Sequence, residues 1–287
     1  MLHKSLASSS LAARAAVAGA ALAMLASGLA AQSARASLLV YEPFNYTSGS
    51  VLNGQTATGT GLTGTWSGSN YTVSAGSLSE GNLATADNSV TMPANNNFYT
   101  VAASLASSVT ATSGNPVWAS FLLQTPSVAS GGFSGTSYGG LNLVSTGNPF
   151  FGISYSSGTS GQQFVVQKEG GGGPNGFASS PVPTAGSTYL LVMEDIVNSS
   201  GPDTLNLWVN PTAGAANPPV TPDATVGLTV GSITGIQLVT SGNYSFDEVR
   251  IGTTYADVTP AVPEPATLGL VAIGAMGLLL LKRRRIA

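Results

Sequence analysis

Between Ser37 and Pro260 no stretch repeats its apolar residues at helical spacing over a useful length. Short β-branched and aromatic runs alternate instead with clusters of Gly, Asn, Ser and Pro. The clearest runs are PVWASFLLQ, GGLNLVS, FFGISYS, QFVVQK, STYLLVMEDIV, DTLNLWVN, ITGIQLVT and NYSFDEVRI. Runs of this length, punctuated by turn formers, predict strands of an all-β sandwich or barrel. KEGGGGPNG and NPTAGAANPPVTPD read as the connections between them. About 220 residues suffice for one large domain, and no internal repeat of solenoid period interrupts it.

The chain has no cysteine, so the core rather than disulfides must hold that domain together. The one histidine is His3, near the N-terminus. Without His or Cys further on, Ser-His-Asp and Cys-His catalysis, imidazole bases and nearly all transition-metal sites are excluded. Only Lys168 and Arg250 are basic between Ser37 and Pro260, against eleven acidic residues there, a net charge of −9. Nucleic acid and anionic lipid surfaces both need clustered Lys and Arg, so neither is an expected partner. Charged residues are 7% of the chain, against about 25% in ordinary domains. The surface must therefore be Ser, Thr, Asn and backbone, a composition suited to a hydrated polysaccharide matrix.

Both ends carry export chemistry. His3, Lys4 and Arg14 flank the apolar run AAVAGAALAMLASGLAA, and Ala34 and Ala36 then frame Arg35 in the small-x-small pattern read by a signal peptidase. Residues 1–36 are thus a signal peptide, with an uncleaved N-terminal anchor as the alternative. At the other end, residues 266–281 carry no charge. About sixteen helical residues rise roughly 24 Å, short of a hydrocarbon core of ~30 Å by an amount that bilayer thinning and lysine snorkelling cover. Lys282, Arg283, Arg284 and Arg285 follow. The positive-inside rule keeps them in the cytoplasm and places the domain outside the inner membrane, held by a single span. A buried C-terminal helix would leave the four cations unexplained.

Val262-Pro263-Glu264-Pro265, then the apolar helix, then the basic tail resemble the PEP-CTERM sorting signal of Gram-negative bacteria. The resemblance implies recognition by an exosortase, a membrane-embedded cysteine protease, and association with cell surfaces and exopolysaccharide. Two prolines also stop the helix and leave an extended segment outside the bilayer. LLVYEPFNY, YLLVMEDI, DTLNLWVNP and FDEVRIGTTYADVTP are in turn similar to pieces of LamG-type, concanavalin-like jelly-roll domains. That resemblance implies a two-sheet antiparallel jelly-roll sandwich over 37–260, its first strand near its last. Residues 261–287 are then the sorting signal. Members include sugar binders, adhesion modules, glycosidases and spacers, so fold does not give function.

Candidate sites are few. A retaining glycosidase needs two carboxylates about 5–5.5 Å apart. Glu194-Asp195 and Asp247-Glu248 are adjacent pairs, and adjacent strand residues face opposite ways. No Glu-x-Asp-x-Glu pattern occurs there either, and the expectation is that the chain is not an enzyme. Asp247 and Glu248 are expected to partner Arg250 and close the last strand. In DTLNLWVN, Leu205, Leu207 and Val209 share one face, and Thr204, Asn206, Trp208 and Asn210 the other. Trp208 is accordingly either a sugar-stacking platform or a cover under a loop. Trp66 and Trp118 read as packing residues, Trp118 on a strand buried on both sides.

GTGLTG at 59–64 matches GxGxxG but lacks the strand before and helix after it, so it is a loop; the glycines at 170–173 precede no P-loop Lys. No cofactor is expected. Calcium is the one metal worth considering, with oxygens available from Asp203, Asp223, Asp247 and Asn95-Asn96-Asn97 but no spacing to single them out. The expected function is a surface or matrix protein, structural or adhesive. A lectin-like module is the alternative, and a glycosidase the less favoured one.

Overall fold

The computed structural model describes residues 38–92, 98–127, 137–155, 161–170 and 172–262. The chain divides into residues 1–38, of which only Leu38 is described, and residues 39–287. The expected signal peptide with Ala34 and Ala36, Pro263-Glu264-Pro265, the span 266–281 and the basic tail all lie outside the described residues. Among the described residues no helix is long and apolar enough to cross a membrane.

In chain order the strands are β1 (Leu38–Glu42), β2 (Leu62–Gly68), β3 (Thr72–Ser74), β4 (Ser89–Thr91), β5 (Tyr99–Val109), β6 (Val117–Gln124), β7 (Tyr138–Val144) and β8 (Pro149–Tyr155). There follow β9 (Gln162–Lys168), β10 (Asn175–Phe177), β11 (Thr188–Ile196), β12 (Thr204–Val209), β13 (Ala224–Gly227), β14 (Ile233–Ser241) and β15 (Ser245–Gly252), then one helical turn, α1 (Tyr255–Val258). They form two antiparallel sheets. The first runs β13-β12-β11-β6-β15-β4-β3 with β1 also paired to β15; the second runs β10-β9-β8-β7-β14-β5-β2. All eight runs singled out by their composition are strands.

Alternation builds the core. Phe121 and Leu123 of β6, Leu191 and Met193 of β11, and Phe246 and Ile251 of β15 point inward from the first sheet. Phe151 and Ile153 of β8, Phe164 of β9, and Ile236 and Leu238 of β14 meet them from the second. Phe121 and Phe151 touch edge to face across the gap, their centroids 5.0 Å apart. Fully burying each such side chain contributes about 1.5–3 kcal/mol, which is how a chain without disulfides stays folded.

The first sheet is buried on its outward side as well. Trp118, Leu122, Leu190, Val192 and Trp208 form a second cluster, capped by Leu83, Tyr255 and Val258. Thr254 and Asp257 start α1 with a reciprocal capping box, so even a single turn satisfies its leading N–H groups. Ser120 Oγ donates to Val258 O at 2.6 Å, and the Tyr255 hydroxyl donates to Thr212 O at 2.8 Å, fixing the cap to the sheet.

Candidate functional site

Trp208 belongs to that cap. Its ring stacks on Trp118 at 5.6 Å and 25°, and its indole N–H donates to Pro219 O at 3.0 Å. It is 4% exposed. The strand alternation that turns Trp208 away from the core is the one read from the sequence, but the structure leaves the ring no free face for a sugar. Two outward tryptophans make an apolar patch, and α1 and the chain beyond β12 cover it. Trp208→Phe keeps the stack and loses the N–H bond. It should cost about 1–2 kcal/mol in urea unfolding and leave polysaccharide binding unchanged.

The carboxylate pairs divide. Glu194 points outward, accepting from Asn206 Nδ2 at 3.2 Å, while Asp195 points inward, so these two do face opposite ways. Asp247 and Glu248 do not follow the same rule. Between Asp247 and Arg250 the pairing of β15 with β6 gains one residue, and Glu248 has φ +55. That bulge suspends alternation. Both carboxylates consequently bond the same covering segment. Asp247 accepts from Ser77 Oγ and, at 2.7 Å, from Leu78 N; Glu248 accepts from Ala86 N. The expected opposition at 247–248 is thereby corrected.

Glu248 also pairs with Arg250, as expected. Arg250 donates to Ala84 O at 2.7 Å, and its guanidinium lies 4.7 Å from the centre of the Tyr41 ring. Next along β1, Glu42 accepts from Phe44 N at 2.7 Å and from the Tyr46 hydroxyl at 3.0 Å. Tyr46 in turn accepts from Trp66 Nε1 at 2.9 Å, so Trp66 is a packing residue with its N–H satisfied. Burial pushes Glu42 up to about 7 despite those donors, and pushes Asp247 up to about 8. Tyr41, Gly59 and Asp87 line a cleft of about 210 Å³ beside this cluster. Glu42, Asp247 and Glu248 are themselves sealed from solvent. They are placed to fasten the first strand to the last, not to reach a polymer.

Among the described residues no group of three or more His, Cys, Asp or Glu side chains gathers to hold a metal. Three residues considered for calcium instead accept backbone N–H bonds: Asp203 from Val230, Asp223 from Val209, and Asp247 from Leu78. Asn95-Asn96-Asn97 lie outside the described residues. Of GTGLTG, residues 59–61 form the turn before β2 and Leu62, Thr63 and Gly64 are the first three residues of β2, so the expected loop is corrected over its second half. A Cβ on Gly61, at φ +75, would sit 2.0 Å from Leu39 O, so packing against β1 accounts for that glycine.

The outward face of the second sheet differs from that of the first. Register places Gln237, Asn142, Phe150, Gln167 and Asn175 in one row across β14, β7, β8, β9 and β10. The adjacent row is Val239, Gly140, Gly152, Val165 and Phe177. A Cβ on Gly140 would lie 2.6 Å from the Phe150 ring, which rests where that side chain would be. Beyond it, Ser154 and Gln163 pair. Asn142 Nδ2 donates to Gln237 Oε1 at 3.0 Å, yet Asn142 is 3% exposed and its Oδ1 has no hydrogen-bond partner. Tyr138 packs beside Phe150, and Phe98, 58% exposed, lies 6.2 Å from Tyr138. Burial, then the charges of Glu169 and Tyr155, push the Tyr138 hydroxyl up to about 12. No sequence signal gathers this face, because its residues come from five strands that are not all consecutive.

Neutral amides offer donors and acceptors together, and aromatic rings offer flat apolar surface. The structure therefore defines a two-sheet β-sandwich, its first sheet capped outward by tryptophans and its second carrying an outward amide row that is buried at Asn142 and Phe150 and accessible at Gln237, Gln167 and Asn175. The PEP-CTERM protein-sorting motif matches residues 261–285. This marks an exported chain, sorted at the membrane and processed by an exosortase. A comparison with curated proteins finds no match.

Among solved structures, the chain is similar to an endo-1,3-β-glucanase from Streptomyces sioyaensis, with 11% identity, 75% of this chain and 95% of that one covered, and a TM-score of 0.44. A mutant of the alginate lyase Aly36B, solved with alginate trisaccharide, has 12% identity, 76% and 98% coverage and a TM-score of 0.42. An endo-β-1,4-glucuronan lyase from Trichoderma reesei has 13% identity, 67% and 91% coverage and a TM-score of 0.40. The expectation that this chain is not an enzyme is corrected by these matches, whose names are those of glucanases and lyases.

Proposed function

We propose that this chain is an adhesive component of the cell surface or extracellular matrix, whose sandwich holds extracellular polysaccharide along the outward face of the second sheet. Residues 1–36 direct export, the domain begins at 37, and residues 261–287 deliver it to the exosortase. Pairing of β1 with β15 supports the LamG-like jelly-roll reading. The observation that carries the ligand class is the amide row, whose Gln237 and Gln167 are half-buried and whose Asn175 is exposed.

The test is binding of the exported chain to the producing cell's own exopolysaccharide, in calcium and in chelator. Gln237→Ala and Gln167→Ala should each weaken binding about tenfold, the loss of one or two well-placed hydrogen bonds. Variants that bind like the parent would refute the site. Sizing the polymer after incubation shows whether binding is followed by cleavage.

A further inference from the structure

Charged residues divide unevenly between the two sheets. The strands of the first carry Glu42, Glu194, Asp195, Asp247, Glu248 and Arg250, whereas the strands of the second carry Lys168 alone. Lys168 follows Gln167 at the end of β9, so its side chain leaves the strand on the side opposite the amide row. Its Cβ lies against Gly173, where an added Cβ would be 2.8 Å away. Among the described residues of these strands, the outward face of the second sheet therefore presents no charged side chain. The internal stretches outside the described residues, 93–97, 128–136, 156–160 and 171, contain no Asp, Glu, Lys or Arg either. Arg250, the other cation between Ser37 and Pro260, is 2% exposed and bonded to Glu248 in the first sheet.

We propose that the face carrying the amide row takes uncharged polysaccharide and excludes acidic polymers such as polyuronates and sulfated glycans. The inference rests on the polysaccharide reading above and narrows its ligand class. A carboxylate or sulfate that leaves water needs a cation or several charge-assisted donors in its place. The strands of this face have no cation to give. A hydroxyl both donates and accepts, as does a neutral amide, so Gln167 and Asn175 can meet it with either end of the side chain. Gln237 Oε1 already accepts from Asn142, which leaves Gln237 its N–H groups for a ligand oxygen. Phe98, 58% exposed beside Tyr138, offers a ring whose faces carry partial negative charge. Such a face attracts sugar C–H groups and repels anions. Glu169 is close enough for its charge to help push the Tyr138 hydroxyl up, so an anion arriving there meets another.

The test uses the exported chain and the producing cell's exopolysaccharide, split by anion exchange into a neutral and an acidic fraction. In chelator at low salt, the neutral fraction should bind about tenfold more tightly than the acidic one, or better, since like charges brought together oppose association. Its binding should change less than about twofold between about 0.05 and about 1 M salt, because no ion pair is there to be screened. Oxidising the C6 hydroxymethyl groups of the bound polymer to carboxylates should abolish binding. Ala102→Lys, which sets an ammonium beside Gln237 in the same row, should restore binding of the oxidised polymer. Ser104→Lys, at an exposed position of the same strand, gives the same reading should Ala102→Lys fail to fold. An acidic fraction bound as tightly as the neutral one, in chelator or through calcium, would overturn the inference and leave the polysaccharide reading standing. An oxidised polymer that still binds the parent chain would overturn it too. Binding of neither fraction would overturn the polysaccharide reading, and this inference with it.

Discussion

Arg250→Ala should destabilise the domain by about 3–5 kcal/mol, the cost of leaving a buried charge without its partner. For a domain of this size that lowers Tm by roughly 10 °C. Arg250 is one of two cations between Ser37 and Pro260; the other, Lys168, is exposed, whereas Arg250 is 2% exposed. Its Nη2 bonds both Glu248 and Ala84 O, and its face covers Tyr41. Alanine would strip the Glu248 carboxylate of its cation, leaving it the Ala86 N–H and the Tyr41 hydroxyl, and open a gap against the Tyr41 ring.

The pair need not be favourable overall. Arg250 Nη1 has no hydrogen-bond partner, and burial raises the Glu248 carboxyl despite the guanidinium beside it. The double variant Glu248→Gln with Arg250→Met should therefore recover most of what Arg250→Ala loses. Guanidinium unfolding of parent, single and double variants decides the point. A single variant as mild as the double would show that the buried charge carries no penalty, and that the bulged end of β15 tolerates solvent.

What the sequence conceals here is long-range placement. The runs of β6, β11, β12 and β15 are legible because Leu, Val, Phe and Trp crowd them. β5 is not, although it is eleven residues long. Its inward positions Val101, Ala103 and Leu105 alternate with Ala and Ser, so the contrast between faces is weak. Trp208 shows the same division: its direction follows from alternation, but its cover comes partly from α1, some 50 residues further on. The bulge at Glu248 has no glycine to announce it, and the alternation rule fails there without warning. The amide row needs the register of β7 against β14, strands nearly a hundred residues apart.

The domain should also become less stable as pH rises, a direction opposite to that of proteins held by paired carboxylates. Burial raises Glu42 and Asp195 to about 7 and Asp247 to about 8. Asp195 is pushed further by the charges of Asp203 and Glu194. The folded chain therefore holds protons that the unfolded chain, with ordinary carboxyls near 4, has released. Wherever the native state binds more protons, raising the pH favours unfolding. The stabilisation is complete below about pH 4 and is lost as pH passes through 7 to 8. A tenfold difference in proton affinity between the folded and unfolded chain is worth about 1.4 kcal/mol. The loss between pH 5 and pH 9 is therefore on the order of several kcal/mol, roughly 10 °C in Tm. Asp195 offers the cleanest control. It is 1% exposed, and its Oδ1 has no hydrogen-bond partner. Asp195→Asn stays neutral at every pH. It should raise Tm at pH 9, leave it nearly unchanged at pH 5 and flatten the slope between them. A parent whose Tm climbs from pH 5 to pH 9 would mean that these carboxyls are ionised in the folded chain, their charge stabilised by donors rather than opposed by burial.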